Sequence, residues 1–186
     1  MPADTAPGGN SPTGGVLLVA GIGSLVAVGL GVYGHLHEPA GFAFYAAGFS
    51  SGTAAKAWLG TGAFVLALIQ LGSASLMYGR WPRIPALPWI GVLHRWAGRA
   101  AVLLTVPVAV HCLYALGFQF SSPRVLLHSL FGCLFYGAFV TKMLGLRRTD
   151  LPGWMLPALG GAVFAALVAV WLTSSVWFLA TSGPTL

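Results

Sequence analysis

The stretch LPALGGAVFAALVAVWLTSSVWFLA, residues 156–180, contains no charged side chain. A helix that crosses a hydrocarbon core of about 30 Å needs roughly 20 apolar residues in succession. Four comparable stretches precede it, at residues 16–33, 57–78, 98–118 and 125–144. Because lipid offers no partner for open backbone groups, these stretches favour helices. The sequence therefore predicts an all-α integral membrane bundle of about five transmembrane helices.

Composition agrees with this fold class. Hydrophobic residues make up 57% of the 186 positions and charged residues only 6%, whereas a soluble domain carries about 25% charged residues. The lipid bilayer is therefore the expected partner. The net charge of +6 does not indicate a nucleic-acid ligand, because the basic residues cluster at the ends of the apolar stretches.

The chain divides into one domain and two tails. Residues 1–15 are polar and rich in Pro and Gly, which predicts a disordered tail. Residues 16–181 form a single transmembrane domain, and residues 182–186 form a short C-terminal tail. Within the first connection, residues 40–49 are aromatic and apolar enough to predict a short interfacial helix.

The distribution of positive charge predicts the orientation. Seven of the nine basic residues flank the second and fourth connections, and only two lie on the other side: Arg80, Arg83, Arg95, Arg99, Lys142, Arg147 and Arg148 against Lys56 and Arg124. Cytoplasmic connections carry the excess of Lys and Arg. We therefore expect a cytoplasmic N-terminus and an extracytoplasmic C-terminus.

Small residues recur at a spacing of four in the first and the fifth predicted spans. Such rows let helix backbones approach closely in a membrane, so they favour a compact bundle or, alternatively, a dimer face. The rows are Gly23, Ala27 and Gly31 in the first span, and Gly161, Ala165 and Ala169 in the fifth.

Two histidines lie inside predicted spans, His111 in the third and His128 in the fourth. At a rise of 1.5 Å per residue, both lie within roughly 10 Å of the outer surface of the hydrocarbon core. The connection between these spans is short, so we expect antiparallel neighbours. Two imidazoles at similar depth on adjacent helices have the geometry for axial ligation of one haem iron.

The neighbours of the two histidines fit such a site. Ala115 and Gly132 each lie four residues after a histidine, on its own helical face, and leave room for a flat macrocycle. Arg124 lies four residues before His128 and could neutralise a haem propionate. Alternatively, both histidines could hydrogen-bond a neighbouring helix, or could serve another metal, a proton or a quinone.

Four further ionisable residues are weaker candidates. His94, at the inner edge of the third span, could ligate a second haem, but an interfacial histidine is the simpler interpretation. His35, His37 and Glu38 lie in the outer connection. A metal site there would need an extended segment and further ligands, so we interpret these histidines first as solvated loop residues.

The segment from His94 to Lys142 contains HRWAGR (94–99), followed by His111 and His128 on consecutive helices. It resembles the b-type cytochromes of the ferric reductase-like and cytochrome b561-like group. In that group, histidines on facing helices hold haem b and pass electrons through or along the membrane. The resemblance implies haem b at His111 and His128. The whole chain, including VYGHLHEP and HSLFGCLFYGAFVTKML, is similar to an uncharacterised bacterial family of five-span membrane proteins.

We therefore expect an electron-transfer subunit of the bacterial cytoplasmic membrane with one haem b near the outer leaflet. Without a flavin or nicotinamide domain of its own, it would exchange electrons between membrane quinol and an extracytoplasmic redox protein. Two alternatives come from other classes of protein. One is a cofactor-free membrane anchor or assembly subunit, and the other is a metal-handling or transport protein.

Overall fold

A computed structural model describes residues 12–41, 48–85 and 87–185, and within these ranges the chain is helical and contains no strand. The elements are α1 (Pro12–Leu36), α2 (Gly52–Met77), α3 (Pro88–Val110), the π-helical segment π1 (His111–Leu116), α4 (Pro123–Gly145), α5 (Met155–Trp171), the π-helical segment π2 (Leu172–Val176) and α6 (Trp177–Ser182). Because α3 continues into π1, and α5 continues through π2 into α6, five rods are long and apolar enough to span a membrane. The predicted five-helix class is confirmed, and the chain is a multi-pass membrane protein.

The helices begin earlier than hydropathy alone predicts, and local capping accounts for the earlier start of α2 and α4. Ser51 accepts a hydrogen bond from the Ala54 N–H, and Ser122 accepts one from the Val125 N–H. Pro88 occupies the first turn of α3, where its missing N–H costs nothing. Of the predicted N-terminal tail, residues 1–11 lie outside the described residues, and α1 starts at Pro12. Residues 42–47 of the predicted interfacial helix also lie outside them.

The rods pack in a chain of pairs. Helix α2 packs along α3, α1 along α4, and α4 along α5. Although the short connection predicts that α3 and α4 are neighbours, these two helices share at most isolated contacts among the described residues. A hydrogen bond of 3.0 Å from Tyr136 Oη to Thr105 Oγ1 bridges them. The two helices therefore face each other across a gap.

The two ends of the bundle differ in charge. Connections 78–87 and 146–154 form what we call the arginine-rich end, and the α1–α2 and α3–α4 connections lie at the opposite end. Exposed leucine, valine and tryptophan side chains cover the outside of the bundle, including Leu25, Leu103 and Trp154. In a membrane protein this surface contacts the lipid bilayer. The cytoplasmic location of the arginine-rich end stays a prediction.

Candidate functional site

The gap between α3 and α4 is a cavity of about 370 Å³ in the half of the bundle away from the arginine-rich end. Helices α2, α3, α4 and α5 all contribute to its wall, together with both π-helical segments. Most of the wall is apolar, and the hydrogen bond between Tyr136 and Thr105 crosses its side nearer the bundle centre. A space of this size is within the range of about 300–1,000 Å³ typical of small-molecule sites.

Helix α4 brings His128, Arg124 and Gly132 to this cavity. The Nδ1 atom of His128 lies 3.2 Å from the hydroxyl oxygen of Thr173 in π2. Gly132 leaves open space, since a methyl group built on it would meet nothing within 4 Å. Three of the residues that the sequence predicts as a group therefore share one wall.

Arg124 is held in place by two groups near the end of the fifth rod. Its Nη1 donates a hydrogen bond of 2.6 Å to the backbone oxygen of Thr173. Its guanidinium lies 3.9 Å from the centre of the Trp177 ring, in a cation–π contact. A guanidinium has five N–H donors, and the hydrogen bond to Thr173 uses one of them.

A second cation, Lys56 of α2, also lines the cavity. Among the described residues, no Asp or Glu side chain lines it. Two cations without a neighbouring carboxylate favour a ligand that carries negative charge on an otherwise apolar body.

His111 lies beside the cavity but is not part of its wall. It opens π1 and is buried, with only 6% of its surface exposed. From the third rod, the wall receives Val108, Cys112 and Leu116. Ala115, the predicted packing neighbour of His111, is also buried outside the wall. The structure therefore brings His128, Arg124 and Gly132 together, and leaves His111 and Ala115 on another side of the third rod.

Backbone groups from the end of α1 and from the first connection form hydrogen bonds at the end of the third rod. The backbone N–H groups of Ala40 and Gly41 each donate a hydrogen bond of 3.2 Å, to the carbonyl oxygens of Tyr114 and Ala115. The Phe118 N–H donates to the Gly34 oxygen at 2.6 Å. These bonds satisfy carbonyl groups that a helix end leaves without intrahelical partners. They also fix the position of the cavity wall formed by π1.

The three candidates in the outer connection have different surroundings. The ring of His37 stacks between Tyr33 and Tyr114, at centroid distances of 5.1 and 4.7 Å. His35 is exposed and lies near Phe120, and Glu38 is exposed. Among the described residues, no three His, Cys, Asp or Glu side chains converge as metal ligands. His37 therefore serves as a packing residue over the end of π1.

His94 lies on α3 towards the arginine-rich end. Its Nδ1 is 2.9 Å from Ser73 Oγ, and its backbone oxygen accepts a hydrogen bond from the Gln70 side chain. Ser73 in turn donates to the Ile69 oxygen at 2.7 Å. His94 does not line the cavity. It joins α3 to α2.

Sequence reasoning missed two residues of the site. Lys56 contributed to the sequence-based predictions only as a topological charge, although it is the sole ionisable residue close to the start of the second span. Thr173 belongs to the run Thr173-Ser174-Ser175, the only cluster of three hydroxyl side chains within the apolar stretch 156–180. A polar cluster in such a stretch is costly unless it has partners, so this run was the available signal.

Comparisons with known proteins give a family and no function. No curated protein and no solved structure matches the chain. A family model, described as "Family of unknown function (DUF6529)", matches residues 16–186. This match includes all five membrane-spanning rods except the first turn of α1. The chain therefore belongs to the DUF6529 family of unknown function.

Proposed function

We propose that this chain is a haem b-binding membrane protein that acts as an electron-transfer subunit, with His128 as an axial ligand. The observation that carries the proposal is the composition of the cavity wall. It contains one imidazole and two cations in largely apolar surroundings. An imidazole can ligate a haem iron, and Arg or Lys can neutralise a haem propionate.

The individual residues of the wall suit this ligand. Arg124 and Lys56 lie on different helices, so each could pair with one propionate. The open space beside Gly132 would accept an edge of the macrocycle next to His128. Because α3 and α4 share at most isolated contacts among the described residues, the gap between them could receive a flat group.

His111 is the second proposed ligand, and its position makes it the less direct one. The cavity wall contains its neighbour Cys112, whereas His111 itself is buried beside the wall. Ligation by His111 therefore requires its ring to turn towards the cavity. If the ring does not turn, His128 alone would hold the iron, and the coordination state of the haem would differ accordingly.

Bound haem would supply one-electron chemistry at its iron. The protein would contribute the imidazole ligand, the burial and the nearby charges that set the reduction potential. The charge bias predicts that the cavity lies near the outer face of a bacterial cytoplasmic membrane. We propose membrane quinol as the electron donor and an extracytoplasmic redox protein as the acceptor, because both can reach a site at that depth.

Absorption spectroscopy of the purified protein tests this function. After titration with hemin in detergent, the wild-type protein should show b-type bands in a reduced-minus-oxidised spectrum. His128→Ala should lose these bands, whereas His94→Ala, a change outside the cavity, should keep them. If His111 is a ligand, His111→Ala should convert a low-spin spectrum into a high-spin one.

Other results would favour other classes of protein. A wild-type protein that shows no b-type bands after hemin titration contradicts the proposal and favours a cofactor-free anchor or assembly subunit. A colourless protein that retains copper through purification would favour a metal-handling role.

A further inference from the structure

Thr173 contacts both polar groups that α4 places in the cavity wall. Its hydroxyl oxygen lies 3.2 Å from His128 Nδ1, and its backbone oxygen accepts a hydrogen bond of 2.6 Å from Arg124 Nη1. We propose that Thr173 is a positioning residue that holds His128 in the tautomer protonated at Nδ1 and thereby presents Nε2 to the cavity. The use of that Nε2 as an iron ligand rests on the function proposed above.

The hydrogen bonds of the Thr173 hydroxyl determine which nitrogen of His128 carries the proton. A hydroxyl group has one hydrogen to donate. In the proposed arrangement, Thr173 donates this hydrogen to the carbonyl oxygen of Ala169 at 2.7 Å, with the carbonyl oxygen of Val170 at 3.1 Å. The oxygen can then only accept from His128, so Nδ1 must be the protonated nitrogen. The lone pair of the neutral ring is therefore at Nε2.

The backbone of π2 makes the second contact of Thr173 possible. In an α-helix, the Thr173 oxygen would accept a hydrogen bond from the N–H of Trp177, four residues later. In the observed segment, the Trp177 N–H donates to the Ser174 oxygen instead. The Arg124 guanidinium donates a hydrogen bond to the Thr173 oxygen and makes a cation–π contact with the Trp177 ring. The π-helical turn thus creates an acceptor for Arg124 at the cavity edge.

This arrangement matches what a metal-binding histidine requires. Histidine ligands commonly donate their other ring N–H to a fixed acceptor, which sets the tautomer and the orientation of the ring. Here the acceptor is a hydroxyl that is itself fixed by the Ala169 carbonyl. The same helical turn fixes the cation that would meet an anionic group of the ligand. Thr173 therefore contacts both the histidine that would bind the iron, His128, and the cation that would bind an anionic group of the ligand, Arg124.

Nitrogen-15 NMR of histidine-labelled protein, without any added ligand, measures the tautomer directly. The His128 signals can be assigned from their loss in His128→Gln. We expect the proton on Nδ1 in the wild type, a mixture of tautomers in Thr173→Val, and restoration of the wild-type pattern in Thr173→Ser. Thr181→Val is the matched control, because Thr181 makes a similar intrahelical hydrogen bond to Trp177 at 2.8 Å on the exposed side. It should leave the His128 signals unchanged.

A hemin titration of the same variants supplies the second measurement. Loss of a second-shell partner typically lowers metal affinity about 10- to 100-fold, so Thr173→Val should weaken hemin binding by that factor, and Thr173→Ser should not. A wild-type His128 protonated at Nε2, or a tautomer that Thr173→Val leaves unchanged, would overturn the role of Thr173. The wild-type measurement decides this even if Thr173→Val fails to fold. If the tautomer pattern is found but hemin does not bind, the haem proposal fails and the role of Thr173 stands.

Discussion

Gly137 of α4 and Gly23 of α1 meet so closely that a methyl group built on either would lie 2.6 Å from the carbonyl oxygen of the other. A methyl group on Gly137 would also lie 2.8 Å from the Cβ of Ala27. Such distances leave no room for a side chain on either backbone. Because lipid provides little hydrophobic drive between helices, close approach of this kind is what holds α1 against α4.

Replacing Gly137 with alanine should therefore destabilise the bundle. The added methyl group must displace backbone atoms of α1, which do not give way cheaply, and overpacking typically costs about 1–3 kcal/mol. Thermal unfolding in detergent should show a lower midpoint for Gly137→Ala. The control is Gly29→Ala, because Gly29 is exposed on α1 and a methyl group there meets nothing within 4 Å. Equal stability of the two variants would contradict the close α1–α4 contact.

The first small-residue row shows how far a spacing pattern predicts packing. The sequence predicts close approach at Gly23, Ala27 and Gly31, and the structure confirms it, with Gly31 facing Cys133 of α4. The same spacing in the fifth span does not have this outcome, because Gly161 and Ala165 are exposed. A row of small residues allows another helix to pack closely on that face, but it does not identify the helix that packs there.

The sequence predicts the residues of the candidate site better than it predicts their arrangement in space. The position of His128 in an apolar span, with Arg124 and Gly132 at spacings of four, was enough to group these three side chains. The position of His111 depends on the start of π1, directly after Val110. A π-helical turn changes the rotation per residue, so the direction in which His111 faces relative to α4 does not follow from a period of 3.6. Pro107 lies four residues earlier in the helix and removes one backbone donor, but its presence alone does not predict a π-helical turn.

Tyr136→Phe tests the bridge across the cavity. The Tyr136 hydroxyl donates to Thr105 Oγ1, which itself donates to the Val102 oxygen at 2.7 Å. Loss of one such hydrogen bond typically costs about 0.5–1.5 kcal/mol. We expect a lower unfolding midpoint in detergent for Tyr136→Phe, and no change for Tyr78→Phe, because Tyr78 is 58% exposed. Unchanged stability of Tyr136→Phe would show that the bridge does not hold α3 and α4 in place.

The pair Arg148–Asp150 at the arginine-rich end predicts a dependence of stability on pH. Arg148 donates two hydrogen bonds, of 2.9 and 2.6 Å, which hold the pKa of the Asp150 carboxyl below its usual value. The pair lies against α1, since a methyl group on Gly15 would be 2.7 Å from Asp150 Oδ2. A lowered folded-state pKa stabilises the fold above the unfolded pKa of about 3.9, and that stability is lost as the pH falls through the folded-state pKa.

Asp150→Asn should therefore unfold at a lower temperature than the wild type at neutral pH. The difference between the two should shrink as the pH falls below about 4, because the wild-type carboxyl then becomes protonated. Thermal unfolding in detergent across this range measures it. Glu38→Gln removes an exposed carboxylate at the other end and should not change the midpoint at neutral pH. A difference that persists unchanged at low pH would contradict a role for the ionised carboxylate.

Arg124→Gln tests whether the cavity receives an anionic group at this residue. If Arg124 pairs with a haem propionate, its loss should weaken hemin binding about tenfold or more, because a hydrogen bond to a charged group contributes about 1.5–3 kcal/mol. The reduction potential should also fall, since a nearby positive charge favours the reduced iron, which carries one positive charge less. Hemin titration and a redox titration of the bound haem measure these effects.

Arg147→Gln provides the matched control for loss of one positive charge. Arg147 is exposed at the arginine-rich end, away from the cavity, so this variant should keep both the hemin affinity and the potential of the wild type. Lys56→Gln separates the two cations of the wall. If Lys56→Gln weakens hemin binding while Arg124→Gln does not, the anionic group meets α2 rather than α4, and the contacts of Arg124 with Thr173 and Trp177 would then serve packing alone. Equal losses in both variants would mean that each cation pairs with one propionate, as their positions on different helices allow.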